Sequence, residues 1–514
     1  METKQLPEVK MFQGYQTLFV DEEPYVILGG EVHNSAASGE AYMEEEVWPN
    51  VRDLGMNTVV APVYWECIEP KQGAFDFSTV DDLLRQARRE NLRLVLLWFG
   101  LWKNAESMYV PTWMKRDRKT YFHCKKASGE ELPVISPFCK EAVKQDREAF
   151  TRLMAYLKEQ DGCRTVLMVQ VENEIGLLGS ERDDSPTAQE AFLAGMPKEV
   201  EEEFRLSGSW QEAFGEEAGE YFMAWAFAKA VEEIAGAGKR EYPLPMYTNA
   251  WLEQFPWRPG TYPSGGPVRK MFRMWKAMAP SLFTLAPDIY VPMVPETMDL
   301  YTELDNPLFV PEVRKDAACA TNALYAVFGC HGIGFSPFGV EELNMDPEKI
   351  DRIPPEVMAA LNIDPAAFDM EGSAEYLKRS YELIKNLLPL YYRLRPDGDV
   401  HAFIRKDPRE QGTVVHAKGY DIQLDYRRKE QGKPETGGVI FQLEKDVFLI
   451  AGIMCGITFH GKMGSGKTAE LIRLEEGEWE KGGWKPGRIL NGDEKMFVSC
   501  KDNFVLYRVE LLTV

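Results

Sequence analysis

Eight short apolar runs alternate along this chain with stretches of helical periodicity, and few folds accommodate that alternation. The runs are YVILGGEV from Tyr25, TVVAPVYW from Thr58, RLVLLWFG from Arg93, VLMVQVEN from Val166, PMYTNA from Pro245, DIYVP from Asp288, LFVPEV from Leu308 and GIGFSPFG from Gly332. Strands that are apolar throughout are buried on both faces, and amphipathic stretches between them, such as TVDDLLRQARREN, make the sheet parallel. The pattern predicts a (β/α)8 TIM barrel over residues 1–395. Its longest insertion follows the fourth strand, from Ile175 to Tyr242, and reads as helical.

From Pro396 the texture changes. Segments such as GTVVHAKGY, GGVIFQLEKDVFLIAGI and NFVLYRVELLTV are spaced by Gly, Asp and Asn, which predicts an all-β, sandwich-like domain over residues 396–514.

Within that region GKMGSGKT, Gly461 to Thr468, fits the phosphate-loop pattern G-x-x-x-x-G-K-[ST]. A working phosphate loop needs a helix after it, so that the helix N-terminus and the loop amides surround the phosphates. Here AELIRLEEGEWEKGG follows, with alternating apolar and charged residues and then glycines, so the match reads as an exposed turn between strands.

Charge and residue usage remove further classes. A net charge of −22 opposes a phosphate backbone or an anionic membrane surface, so neither nucleic acid nor membrane is an expected partner. The eight cysteines form no C-x-x-C pair and read as reduced thiols, and the six histidines show no i, i+4 pair; no metal or other cofactor is expected. No signal-like segment opens the sequence, which points to the cytoplasm. A homo-oligomer is compatible with all of this.

In a barrel of this kind the strand ends carry the chemistry. The fourth run ends in Asn173 and Glu174 and the seventh carries Glu312, so two carboxylates face one another across the mouth, the arrangement that cleaves a glycosidic bond. Unrelated structural ion pairs are the alternative reading of the same two residues. Glu172, deeper on the fourth strand, is expected to pair with a buried Arg or Lys.

The local sequences add a resemblance. QVENEIG, Gln170 to Gly176, resembles the Q-V-E-N-E-Y-G motif of glycoside hydrolase family 35, the retaining β-galactosidases. GGEVHNSAASGEAYMEEEVWPNVRDLGMNTVVAPVYWECIEPKQGAFDF, Gly29 to Phe77, is similar to that family's opening two units, and KNAESMYVPTWM, from Lys103, to its segment after strand three. The layout resembles a compact bacterial branch of the family.

The resemblance implies removal of terminal β-D-galactose from a small galactoside or oligosaccharide, with Glu174 as acid/base and Glu312 as nucleophile. It implies Asn173 on the sugar 2-hydroxyl, Asn104, Ala105 and Glu106 on the other hydroxyls, and His33 on the floor of the sugar site. Tyr290 is placed to hydrogen-bond the nucleophile and Trp251 to stack on a sugar ring. The chain departs from the family at Pro62, where a sugar-binding Tyr is usual, with Tyr64 nearby. A β-glycosidase for glucose, arabinose or fucose, and a barrel that binds sugar without cleaving it, are the alternatives.

Overall fold

The computed structural model describes residues 5–351, 353–361 and 363–514. A closed barrel of parallel strands forms in chain order from Ile27–Glu31, Thr58–Tyr64, Arg93–Lys103, Val166–Asn173, Met246–Trp251, Thr284–Ile289, Phe309–Val313 and Gly334–Pro337, the eighth pairing with the first. Every residue of strands two, four, six and seven is buried, as double-sided packing requires.

Strand six starts at Thr284 rather than at Asp288. Pro287 lies inside it, opposite Ala250 of strand five. A proline is uncommon within a sheet, and here it masked the three strand residues ahead of it.

The surrounding helices bury one face each. Ser78–Arg89 buries Val80, Leu83, Leu84 and Ala87, the i, i+3, i+4, i+7 stripe of an amphipathic helix. Ser373–Leu394 covers the barrel's closing seam, where the Tyr381 hydroxyl lies 2.7 Å from the Gly29 carbonyl of strand one and 2.9 Å from the Phe335 carbonyl of strand eight. The insertion after strand four folds into the helices Pro186–Leu193, Lys198–Phe204, Trp210–Phe214 and Ala218–Glu241.

Ahead of the barrel stands an antiparallel sheet of Glu8–Phe12, Tyr15–Val20 and Glu23–Tyr25, which the sequence pattern did not announce. Arg395 holds it from the end of the last helix, donating to the Phe12 carbonyl at 3.0 Å with its guanidinium 4.9 Å over the Tyr15 ring.

The C-terminal strands form a six-stranded and a four-stranded antiparallel sheet. Ile440, Phe448 and Ile450 of the larger sheet pack with Ile422, Leu424 and Ile457 of the smaller one. Their neighbours Val439, Phe441, Leu449 and Ala451 point the other way and join the barrel's core. This double burial explains the unbroken apolar texture of GGVIFQLEKDVFLIAGI.

GKMGSGKT leads from the strand Cys455–Gly461 of one sheet to Ala469–Glu480 of the other, and residues 462–468 are exposed. A strand, not a helix, follows it.

Candidate active site

Strand four reaches the barrel mouth in an unusual backbone. Glu172 and Glu174 both have positive φ, 61° and 45°, a region that costs a non-glycine residue energy and that clusters at functional sites. Strand three bulges beside it: Trp98 pairs with Val171, but the next pairing is Lys103 with Asn173. Gly100 sits in the bulge, where a Cβ would come within 2.5 Å of both Asp146 Oδ2 and Glu172 Oε1.

The bulge settles what Glu172 does. Its Oε2 accepts the Trp102 amide at 2.6 Å, and its neighbour is Asp146, which accepts from Trp98 Nε1 and the Leu101 amide, both at 2.8 Å. Among the described residues no Arg or Lys pairs with it; the Trp102 amide freed by the bulge and the second carboxyl stand there instead. Complete burial, then the Asp146 charge, push the Glu172 carboxyl well above its ordinary range, so it holds a proton.

Glu174 is fixed through its backbone. Its amide donates to Asn249 Oδ1 at 2.8 Å, and its carbonyl accepts from the Ala105 amide at 3.0 Å. Asn249 in turn donates from Nδ2 to Asp288 Oδ2 at 2.5 Å. Across the mouth, the Tyr290 hydroxyl donates to Glu312 Oε1 at 2.5 Å.

One carboxylate oxygen each from Glu174, Asp288 and Glu312 lies within 4.8 Å of the others, and all three residues are buried. Lys103, 2% exposed, and Glu31, 1% exposed, add one cation and a fourth carboxyl to the same electrostatic neighbourhood. Burial, then the Glu312 charge, push Glu174 up to about 7, against the pull of Lys103 and of the Asp288 carboxyl. Burial and the Glu312 charge likewise hold Asp288 and Glu31 well above the ordinary carboxylate range. The Tyr290 phenol is raised by burial and then by Glu312, which keeps it a donor. Among the described residues Glu174, Asp288 and Glu312 are the group whose spacing would suit a metal ion.

A cavity of about 250 Å³ opens onto this cluster, lined by Glu174, Glu312 and Asp288 and walled by Lys103, Asn104, Trp251, Tyr290 and Phe338. Of the residues singled out from sequence, Glu174, Glu312, Asn104, Tyr290 and Trp251 therefore line one cavity. Asn173 is fully buried behind Glu174 with both side-chain polar atoms unpartnered. Ala105 acts through its amide. Glu106 does not line the cavity; its backbone exchanges hydrogen bonds with Lys103 at 2.8 and 3.0 Å.

His33 also lies outside it, in an adjoining cavity, where Nε2 is 2.8 Å from Glu342 Oε1. Tyr64 is buried against the rings of Phe99 and Tyr109 and does not reach the sugar-sized space. Sequence reasoning missed Asp288, Asn249, Lys103 and Glu31. Each stands within the last three residues of a strand, so scanning the C-terminal ends of all eight strands for polar groups would have found them.

Two family models match the chain: glycosyl hydrolases family 35 over residues 17–231, and a domain of unknown function (DUF5597) over residues 377–499. A beta-galactosidase of Xanthomonas manihotis is 37% identical over 84 residues, 16% of this chain and 14% of that protein. The Homo sapiens beta-galactosidase-1-like protein 3 is 25% identical over 179 residues, 33% of this chain and 24% of that protein. The chain thus spans 14% and 24% of the lengths of these two relatives.

The crystal structure of a beta-galactosidase from Bacillus circulans sp. alkalophilus superimposes with a TM-score of 0.51 at 11% identity, covering 94% of this chain and 99% of that one, a likeness of fold. The part of the chain that matches glycosyl hydrolases family 35, residues 17–231, holds strands one to four and Glu174.

Proposed function

We propose that the protein is a retaining, exo-acting β-galactosidase working in the cytoplasm on small galactosides. The observation that carries this reading is the pair Glu174 and Glu312, with carboxylate oxygens within 4.8 Å and Glu174 raised to about 7. That spacing favours the double-displacement class, whose carboxyl groups stand roughly 5–5.5 Å apart, over the inverting class at roughly 6.5–9.5 Å.

In the first step Glu312 attacks the anomeric carbon while the bond to the leaving oxygen breaks, and the Glu174 proton passes to that oxygen. In the second, water attacks the same carbon, its proton goes to Glu174, and the bond to Glu312 breaks. Tyr290 orients Glu312 and is placed to follow its charge through both steps. Asn104 and Trp251 supply a polar and an aromatic wall for one sugar ring.

The departure at Pro62 and the position of Tyr64 favour keeping a second reading, the same machinery on another terminal β-linked sugar. Hydrolysis of aryl β-galactoside, glucoside, arabinoside and fucoside by wild type, Glu174→Gln and Glu312→Gln separates the two. Preference for the galactoside, lost in both variants, is expected; preference for another sugar selects the second reading, and full activity in either variant removes the mechanism.

A further inference from the structure

The segment between strand eight and the helix Ser373–Leu394 crosses the barrel mouth and is pinned on both sides. On one side Asn344 donates to the Asn50 carbonyl at 2.9 Å and Lys349 bonds Glu46 at 2.6 Å. On the other, the Asp364 amide donates to the Tyr290 carbonyl at 3.2 Å, the Lys315 amide to the Ala367 carbonyl at 3.0 Å, and Arg314 Nη1 to Asp364 Oδ2 at 2.6 Å.

Between these pins the chain roofs two adjoining spaces. One is the cavity over Glu174 and Glu312; the other is a chamber of about 720 Å³, and Phe338, Ile353 and Phe368 belong to the walls of both.

The chamber has a broad apolar wall beside its charged groups His33, Lys315, Glu342, Asp351, Asp369 and Glu371. Met345, Pro347, Ile350, Pro355, Met358 and Met370 line it. Of those charged groups, Glu342 bonds His33 through Oε1 and Lys315 through Oε2. Ile353 and Leu361 of the roof are each 37% exposed, although each lines the cavity over the carboxylates and Ile353 the chamber as well. An apolar wall left wet inside a pinned roof is stabilised by an apolar guest.

Resting on the galactosidase reading above, we infer that the chamber receives the leaving group, and that the preferred substrates are β-galactosides of an uncharged alkyl or aryl alcohol rather than of a second sugar. The glycosidic oxygen must lie at Glu174, in a cavity too small for much beyond one ring, and the walls that the adjoining space shares with that cavity are Phe338, Ile353 and Phe368, apolar where a second sugar would meet amides or carboxylates. Methionine suits such a wall because its flexible thioether adapts to guests of different shape.

Methyl and hexyl β-D-galactoside have leaving groups of similar acidity and differ in apolar length, so their ratio reports the chamber. Wild type is expected to cleave hexyl galactoside with kcat/KM about 30-fold or more above methyl, a fraction of what full burial of the added methylenes would give. Met358→Asn with Met370→Asn is expected to abolish that ratio while methyl galactoside hydrolysis stays within about twofold, which also reports an intact fold. Should the double variant lose methyl activity as well, Ile350→Asn alone must lower the ratio.

Equal efficiency on the two galactosides in wild type, or an unchanged ratio in the variants, overturns the chamber and leaves the galactosidase standing. A hexyl preference found only on glucosides overturns the sugar assignment and leaves the chamber standing. No cleavage of any of them overturns both.

Discussion

Asp288 is tied to Glu174 through a single side chain, because Asn249 accepts from the Glu174 amide and donates to the Asp288 carboxyl. Burial and three neighbouring carboxylates raise Asp288 well above the ordinary carboxylate range, which favours its neutral form. An amide of the same shape should then replace it. Asp288→Asn is expected to keep kcat/KM within about tenfold of wild type, whereas Asp288→Ala, which takes away the acceptor of the Asn249 side-chain amide, loses about 10- to 100-fold. A loss in Asp288→Asn as deep as that of Glu174→Gln would show that Asp288 acts ionised.

Glu174 must begin each cycle protonated, and its carboxyl titrates at about 7. Activity should therefore fall as pH rises through about 7, and that limb should be absent from the residual activity of Glu174→Gln, which is expected to be reduced by about 10²–10⁴. A wild-type profile flat from pH 6 to 9 would remove Glu174 as the acid.

The Tyr290 phenol gives Glu312 a hydrogen bond of 2.5 Å in a buried site. A bond to a charged acceptor contributes about 1.5–3 kcal/mol, so Tyr290→Phe is expected to lower kcat/KM by about 10- to 150-fold with the melting temperature nearly unchanged. An effect below about threefold would mean that the phenol only packs.

Burial raises Glu31, Glu172, Glu174 and Asp288 together. In the window between the ordinary carboxylate range and their folded values, the folded protein holds protons that the unfolded chain has released. Their contribution to stability is full below that window and is lost as pH rises through about 7 and beyond. The melting temperature should fall from pH 5 to pH 8, and Glu172→Gln, which keeps the shape without the charge, should make the fall shallower. A steeper fall in that variant would contradict a protonated Glu172.

Lys467, the lysine of the phosphate-loop pattern, lies in an exposed turn between two sheets. Lys467→Ala is expected to leave hydrolysis unchanged, and ATP to leave the melting temperature unchanged. A large loss of activity with the fold intact would reopen the nucleotide reading.

The barrel was legible because double-sided burial writes each strand as an apolar run, and seven of the eight strands lie where those runs are. The sixth was displaced by Pro287, and the same slip concealed Asp288 by making it look like a strand's first residue instead of a residue at the mouth. The partners of Glu172 could not be foreseen: the bulge that brings Asp146 and the Trp102 amide to it depends on pairing between strands three and four, which no single segment encodes. His33 was placed on the sugar floor by resemblance, while the roof segment supplies Glu342 and draws it into the next cavity. The N-terminal sheet has short, half-exposed strands whose alternation is too brief to register.

The strands Gly437–Glu444 and Val447–Ile453 of the larger C-terminal sheet are buried on both faces, with Phe441 edge-on to Phe328 of the barrel at 5.8 Å and Ile440 turned into the sandwich. A sheet so placed is a shared wall rather than an appendage. Removing it would strip the barrel of part of its own interior and leave an oily scar around Phe328 and Tyr391, so neither portion can be exchanged between proteins like a cassette; what looks from sequence like a catalytic unit with a tail must mature, and fail, as one body.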